Sequence, residues 1–144
     1  MKRFKFRLQR VLDVRAQIRD EARQELVRRN NERDHELSIL AYLEQEYLNN
    51  AIVDGGTYSA TDLLAKGVYS ERLEKAIEHQ QVVVQEAIAK AEEALDAYIE
   101  ASKEAKAIEM LREKKLLEFK EEVLKSEAAV LDEIALQKFG GEVN

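Results

Sequence analysis

The sequence has no proline, no cysteine, no tryptophan and only five glycines in 144 residues. Without proline, nothing forces a helix to break. Without cysteine there is neither a disulfide framework nor a thiolate metal site, which fits a reducing compartment. No apolar run approaches the roughly 20 residues needed to span a bilayer. The start, Met1-Lys2-Arg3-Phe4-Lys5-Phe6-Arg7, is basic like the first part of a signal peptide, but no apolar segment follows it. These absences place the expected protein in the cytoplasm. Four of the five glycines form two pairs, Gly55-Gly56 and Gly140-Gly141, which mark where helices are expected to stop.

What is present points to helix. Ala, Leu, Glu, Lys and Arg dominate, and charged residues make up 36% of the chain, the composition of long helices or a coiled coil. Two helices side by side enclose a seam rather than a deep core, so no substrate pocket is expected. The formal net charge of −6 conceals an asymmetry. Residues 1–33 carry 11 Lys/Arg against 5 Asp/Glu, and residues 34–144 carry 12 against 24. A basic end on an acidic body suggests oriented encounters with partners.

Apolar positions Phe4, Leu8, Val11, Leu12, Ile18, Ala22, Leu26, Leu37, Leu40, Leu43 and Tyr47 recur at helical spacing. They predict a first helix from about Phe4 to Asn50, with a weakened seam across the polar stretch from Arg28 to Glu36. Asn30 there is a candidate polar seam residue that sets register. Residues 51–61 form the interior turn, where Asp54-Gly55-Gly56 frees the backbone. Ser59 with Asp62 has the form of a reciprocal cap, and Thr61 is an equally good cap. A second helix is expected from about Asp62 to Lys138, with a short tail at 139–144. Its seam reads Leu73, Ile77, Gln80, Val84, Ile88, Ala91, Leu95, Tyr98, Ser102, Ala105, Glu109, Arg112, Leu116, Phe119 and Val123. These separations of three and four are heptads. After Val123 the stripe shifts by one position, through Leu124, Ala128, Leu131, Ile134 and Phe139. The fold class is therefore all-α: one coiled-coil domain of two long helices in an antiparallel hairpin.

Folding about residue 58 sets Tyr47 near Tyr69, Leu43 near Leu73, Ile18 near Tyr98 and Phe4 near Arg112. The second helix is then longer by roughly 25 residues, at equal rise per residue. That overhang carries Leu116, Leu117, Phe119, Val123, Leu124 and Leu131, and a lone amphipathic helix in water is marginal. It should bury its stripe against a partner.

Candidate chemistry is thin. His35 and His79 approach each other in this register, yet no His-x-x-x-His or Glu-x-x-His spacing supports a metal site. Glu92-Glu93 and Glu121-Glu122 lie on solvated faces without a cleft to tune them. No phosphate-binding loop occurs, because Gly55-Gly56-Thr57 lacks the lysine and spacing. Arg15, Arg19 and Arg23 recur every fourth residue, as a solvated face paired with Asp20 and Glu25 or as an acidic-partner surface. In a helix Phe4 and Leu8 share a face and Phe6 lies off it, so one aromatic needs another cover, for which a partner is the favoured reading. A basic amphipathic start is also compatible with an anionic membrane. The acidic body and the lack of interleaved aromatics speak against nucleic acid. No catalytic residue and no cofactor is expected.

The string Phe4-x-Phe6-x-Leu8-x-x-Val11-Leu12-x-x-Arg15 resembles the start of the flagellar FliJ family. Tyr47-x-Asn49-Asn50, a glycine-containing turn and Leu73-Glu74-Lys75-Ala76-Ile77 resemble that family's hairpin tip. The resemblance covers nearly the whole chain in layout. It implies a non-enzymatic component of the flagellar type III protein-export apparatus, similar to the stalk subunit of rotary ATPases. The end bearing both termini is then expected to enter a hexameric export ATPase ring, through Phe4, Phe6, Leu8, Val11, Leu12, Arg15, Leu116, Phe119 and Val123. The tip side is expected to contact the cytoplasmic domain of the export gate through Glu36, Leu40, Leu43, Tyr47, Tyr69, Leu73, Ala76 and Gln80. Export chaperones are further implied partners, and the implied location is the cytoplasmic face of the inner membrane. Set beside this, Leu40, Leu43, Leu73 and Ala76 are also ordinary seam positions. The competing functional reading is a generic coiled-coil tether or holdase that uses its apolar ends.

Overall fold

The computed structural model describes residues 2–52 and 56–142. It contains two long helices, α1 (Gln9–Ala51) and α2 (Ala60–Glu142), packed against each other as an antiparallel hairpin. Packing divides into two compact units. One spans Asp20–Glu100; the other joins the chain up to Arg19 with the chain from Ala101 onward.

The start of α2 is set by chemistry visible in the sequence. Ser59 Oγ accepts the Asp62 N–H at 3.1 Å, and Asp62 Oδ2 accepts the Ser59 N–H at 3.1 Å. This reciprocal cap satisfies backbone donors that the first helical turn leaves open. Ser59, rather than Thr61, is therefore the cap, and α2 begins two residues before the expected Asp62. Of the expected Asp54-Gly55-Gly56 turn, residues 53–55 lie outside the described residues.

In the Asp20–Glu100 unit the seam is lined by Leu73, Val84, Ala91 and Ala94, all buried, with Gln80 buried among them. Leu40 and Leu43 of α1 are half-buried. Two expected seam positions move. Leu37 and Leu95 are exposed, and Ala94 takes the inward place. Ala94 lies two heptads, fourteen residues, from Gln80 through Ala87, so the heptad follows small residues rather than the larger neighbour. The polar stretch of α1 does turn inward. Arg29, Asn30, Arg33 and Glu36 are half-buried, and Glu25 holds Arg28 Nη2 at 2.7 Å and Arg29 Nε at 2.8 Å along the same helix. The hydrogen bond from Arg28, with that from Arg29, keeps the Glu25 carboxyl below its ordinary range. Cross-helix register is marked by Gln80, whose Nε2 donates to Glu36 O at 3.0 Å and Glu36 Oε2 at 2.6 Å. Gln80 and Glu36 make a polar contact across this seam, and Asn30 is half-buried beside it with no cross-helix hydrogen bond to a described residue.

In the other unit Leu12, Ala101 and Ala105 are buried, Ala105 completely. Val11 and Ile18 are exposed, not inward as expected. Their inward places go to arginines. Arg15 bonds Glu104, and Arg19 Nη1 reaches Glu109 at 2.9 Å. Arg15 and Arg19 thus pair across the hairpin, not with Asp20 or Glu25 along their own helix, while Arg23 is exposed.

α1 starts at Gln9, not at Phe4. Residues 2–6 are not helical and a turn occupies 7–8, closed by Gln9 N–H donating to Phe6 O at 3.1 Å. Burial alternates here: Phe4, Phe6 and Leu8 are half-buried, while Arg3, Lys5 and Arg7 are exposed. A period of two puts all three apolar side chains on one side, which a helix cannot do for Phe4 and Phe6. Non-helical chain also advances further per residue than the 1.5 Å of a helix. Phe4 consequently reaches both Arg112 and Phe119, and full exposure of α2 begins only at Leu124. The free overhang is shorter than the roughly 25 residues that equal rise predicts. It does not stop at Gly140-Gly141, because α2 continues to Glu142 and no described glycine has positive φ. Glycine permits a left-handed helix end without imposing one.

Candidate protein-binding surfaces

The terminal surface is built on the N-terminal strip. The Phe4 and Phe119 rings lie 5.6 Å apart, tilted at 50°, and the Arg112 guanidinium sits 5.5 Å from the centre of the Phe4 ring. Both contacts favour the electron-rich ring face or edge geometry that aromatics use. Arg112 Nε also donates to Gln9 Oε1 at 3.1 Å, tying the start of α1 to α2. The strip and α2 enclose an open groove of about 650 Å³ floored by Phe4, Phe6, Leu8, Leu111 and Phe119. Its rim carries Arg3, Lys5, Arg7 and Lys115 with Glu118 and Glu122. Arg3, Lys5 and Arg7 make no ion pair with any described residue; Lys115 pairs with Glu118 at 3.3 Å. Of the predicted residues here, Leu12 is buried, Leu116 and Val123 are half-buried, Val11 is exposed, and Arg15 is engaged by Glu104.

The tip-side residues fall in the other unit. Leu73 and Gln80 are buried between the helices; Glu36, Leu40, Leu43, Tyr47 and Ala76 are half-buried; Tyr69 is exposed. The two tyrosines cross the seam in opposite senses. Tyr47 O–H donates to Glu74 Oε1 at 3.0 Å, and Tyr69 O–H donates to Glu46 Oε2 at 3.3 Å. The Glu74 carboxylate raises the Tyr47 phenol above its ordinary range; partial desolvation and then Glu46 do the same for Tyr69. Below them Asn50 Nδ2 donates to Lys66 O at 3.0 Å and Ser70 Oγ at 2.8 Å. Lys66 Nζ lies 4.6 Å from the centre of the Tyr58 ring. Sequence reasoning missed the apolar collar next to this clasp: Leu48, Ile52, Leu63, Leu64 and Val68 are all exposed. Its signal was available, because α2 shows two adjacent leucines and a valine before its heptads begin at Leu73.

Among the described residues no group of three or more His, Cys, Asp or Glu is placed to hold a metal ion. Glu92, Glu93, Glu121 and Glu122 are exposed. No described helix is long and apolar enough to cross a membrane. The fold is a coiled-coil hairpin with apolar and charged side chains left exposed along both helices. The chain belongs to the FliJ family: the family model described as Flagellar FliJ protein matches residues 4–144. That membership makes it a component of flagellar type III protein export, in a family without enzymatic activity. No curated protein and no solved structure matches it.

Proposed function

We propose that this protein is the stalk of the flagellar export machinery. The strip Phe4, Phe6 and Leu8, with Val11, Leu12, Arg15, Leu116, Phe119 and Val123, enters the hexameric export ATPase ring and promotes its assembly and turnover. The observation that carries this reading is the apolar groove rimmed by Arg3, Lys5 and Arg7, cations that make no direct ion pair among the described residues. A groove of this kind suits apolar anchors flanked by carboxylates, and unpaired cations speed oriented encounter. The tip side contacts the cytoplasmic domain of the export gate. Because Leu73 and Gln80 are buried, Tyr47, Tyr69 and the half-buried Glu36, Leu40, Leu43 and Ala76 would form its accessible part. Export chaperones dock on the same protein, which works at the cytoplasmic face of the inner membrane.

The test mixes the purified chain with the export ATPase and follows ring formation and ATP turnover. The expected result is more ring and faster turnover, with both lost on deleting residues 1–15. If the deletion leaves the protein's activity intact, the chain is a tether or holdase instead.

A further inference from the structure

The strip before α1 leaves part of its backbone unused. Among the described residues, the N–H and C=O groups of Lys2, Arg3, Phe4 and Lys5 make no hydrogen bond; the first backbone bond is the turn that Gln9 N–H closes on Phe6 O. Burial alternates along this stretch, with Phe4 and Phe6 half-buried and Arg3 and Lys5 exposed. Chain of this form carries its side chains alternately up and down and its backbone groups sideways, as the edge of a sheet does. The strip borders the open groove whose other wall is α2.

Three features select the occupant. An open backbone edge pairs with another extended chain lying about 4.8 Å away. Leu111 and Phe119 of α2 line the groove, so every second residue of the incoming chain must be apolar to cover them. On the outer side the row Arg3, Lys5 and Arg7 makes no ion pair with a described residue. Cross-strand neighbours of opposite charge stabilise a pair and like charges destabilise it, so the intervening residues are Asp or Glu. The carboxylates of the rim do not reverse this preference. Glu118 is held by Lys115 at 3.3 Å, which leaves Glu122 against three cations. The same row repels a second copy of the strip. A membrane surface fits less well, because the half-buried aromatics and the exposed cations lie on opposite sides of the strip and a lipid surface needs both on one approach.

We propose that residues 2–6 are a docking edge for an extended partner segment of alternating apolar and acidic residues, which adds to the strip as a second strand and lays its apolar side chains on Leu111 and Phe119. The proposal rests on the reading of this end as the partner-binding end and adds the form of the segment that it takes.

The probe is a labelled, end-blocked octapeptide of alternating valine and glutamate, titrated with the full chain and followed by fluorescence anisotropy. The expected dissociation constant is on the order of 10–100 µM, rising with salt. The same residues in helical order, with valines at the first, fourth, fifth and eighth places, should bind at least about 10-fold more weakly. Backbone N-methylation of the valines or of the glutamates separates the two edges of the peptide; one set should weaken binding about 10-fold and the other leave it unchanged, since only one edge pairs. Lys5→Glu should weaken binding about 10-fold and an alternating valine–lysine octapeptide should restore it, with far-UV circular dichroism unchanged. Equal binding of the helical-order peptide, equal effects of the two methylations or no binding up to about 1 mM overturns the proposal. So does binding to vesicles of roughly 3:1 phosphatidylcholine and phosphatidylglycerol with no peptide bound. If deleting residues 1–15 abolishes ring turnover while the peptide does not bind, the ring reading stands and the docking edge falls. Peptide binding without any effect on the ring leaves the edge and removes the ring.

Discussion

The two units of this hairpin hold their helices together by different means. Between Asp20 and Glu100 the seam contains Leu73 and Val84, closed by the Gln80–Glu36 contact and the two tyrosine–carboxylate bonds. In the unit of the two chain ends the seam narrows to Ala101 and Ala105, flanked by Arg15–Glu104 and Arg19–Glu109. Alanine removes little apolar area from water, and partly exposed ion pairs contribute little. Beyond it come the aromatic strip and an uncovered helix. Both units leave apolar side chains exposed, Leu48, Ile52, Leu63, Leu64 and Val68 in the first and Leu124, Leu131 and Phe139 in the second. What differs is the seam: larger side chains and hydrogen bonds close one, mostly small residues and partly exposed ion pairs the other, so stability is concentrated in the first.

The largest effects should come from the two seams, in opposite directions of size. Leu73→Ala removes a buried side chain and is expected to cost about 2–3 kcal/mol in urea unfolding. Ala105→Leu adds bulk where Ala105 is 0% exposed and should cost a similar ~2 kcal/mol by forcing the helices apart. If Ala105→Leu were instead tolerated, the narrow seam would not be tightly packed and the contrast between units would fail. Gln80→Ala comes next, at about 1–2 kcal/mol, since it leaves Glu36 without its buried donor. Two changes should stabilise. Ser102 Oγ is buried with no partner among the described residues, so Ser102→Ala should gain about 1 kcal/mol. Gly67 lies within α2 with nothing within 4 Å of an added Cβ, so Gly67→Ala should gain about 0.5–1 kcal/mol.

The smallest effect is with pH. The Ser59 backbone N–H and hydroxyl hold the Asp62 carboxyl below its ordinary range, as the arginines do for Glu25. A depressed carboxylate stabilises the fold above its unfolded pKa, and that contribution is lost as pH falls through the folded value. Protection of the first-turn amides of α2, measured against their intrinsic exchange rates, should therefore fall at acid pH, below the usual carboxylate range. Asp62→Asn should abolish this dependence, whereas Ser59→Ala, which keeps the residue-59 N–H, should only reduce it.

Much of the architecture could be read from residue order. The heptads from Leu73 to Val123, except at Leu95 where Ala94 faces inward instead, the Ser59–Asp62 cap and the placing of Phe4 beside Arg112 appear in the structure. The misses share a cause. Helical spacing was extended through Phe4-Lys5-Phe6-Arg7-Leu8, where the alternation of apolar and basic residues has a period of two. The same assumption placed Val11 and Ile18 inside, when Arg15 and Arg19 had cross-helix carboxylates to meet. Of the binding surfaces, the apolar strip was legible as residues but not as a groove, and the collar with Leu63 and Leu64 was passed over because the seam was counted only from Leu73.

The sequence by itself determined that this chain is helical and that its two halves return on each other, and it narrowed the cap of α2 to Ser59 or Thr61. Local capping and a repeating apolar pattern need only neighbours along the chain. Which apolar residues face inward, and which remain for partners, was decided by the tertiary structure. On a two-helix seam several faces of each helix are nearly as apolar, and only the position of the sister helix selects among them.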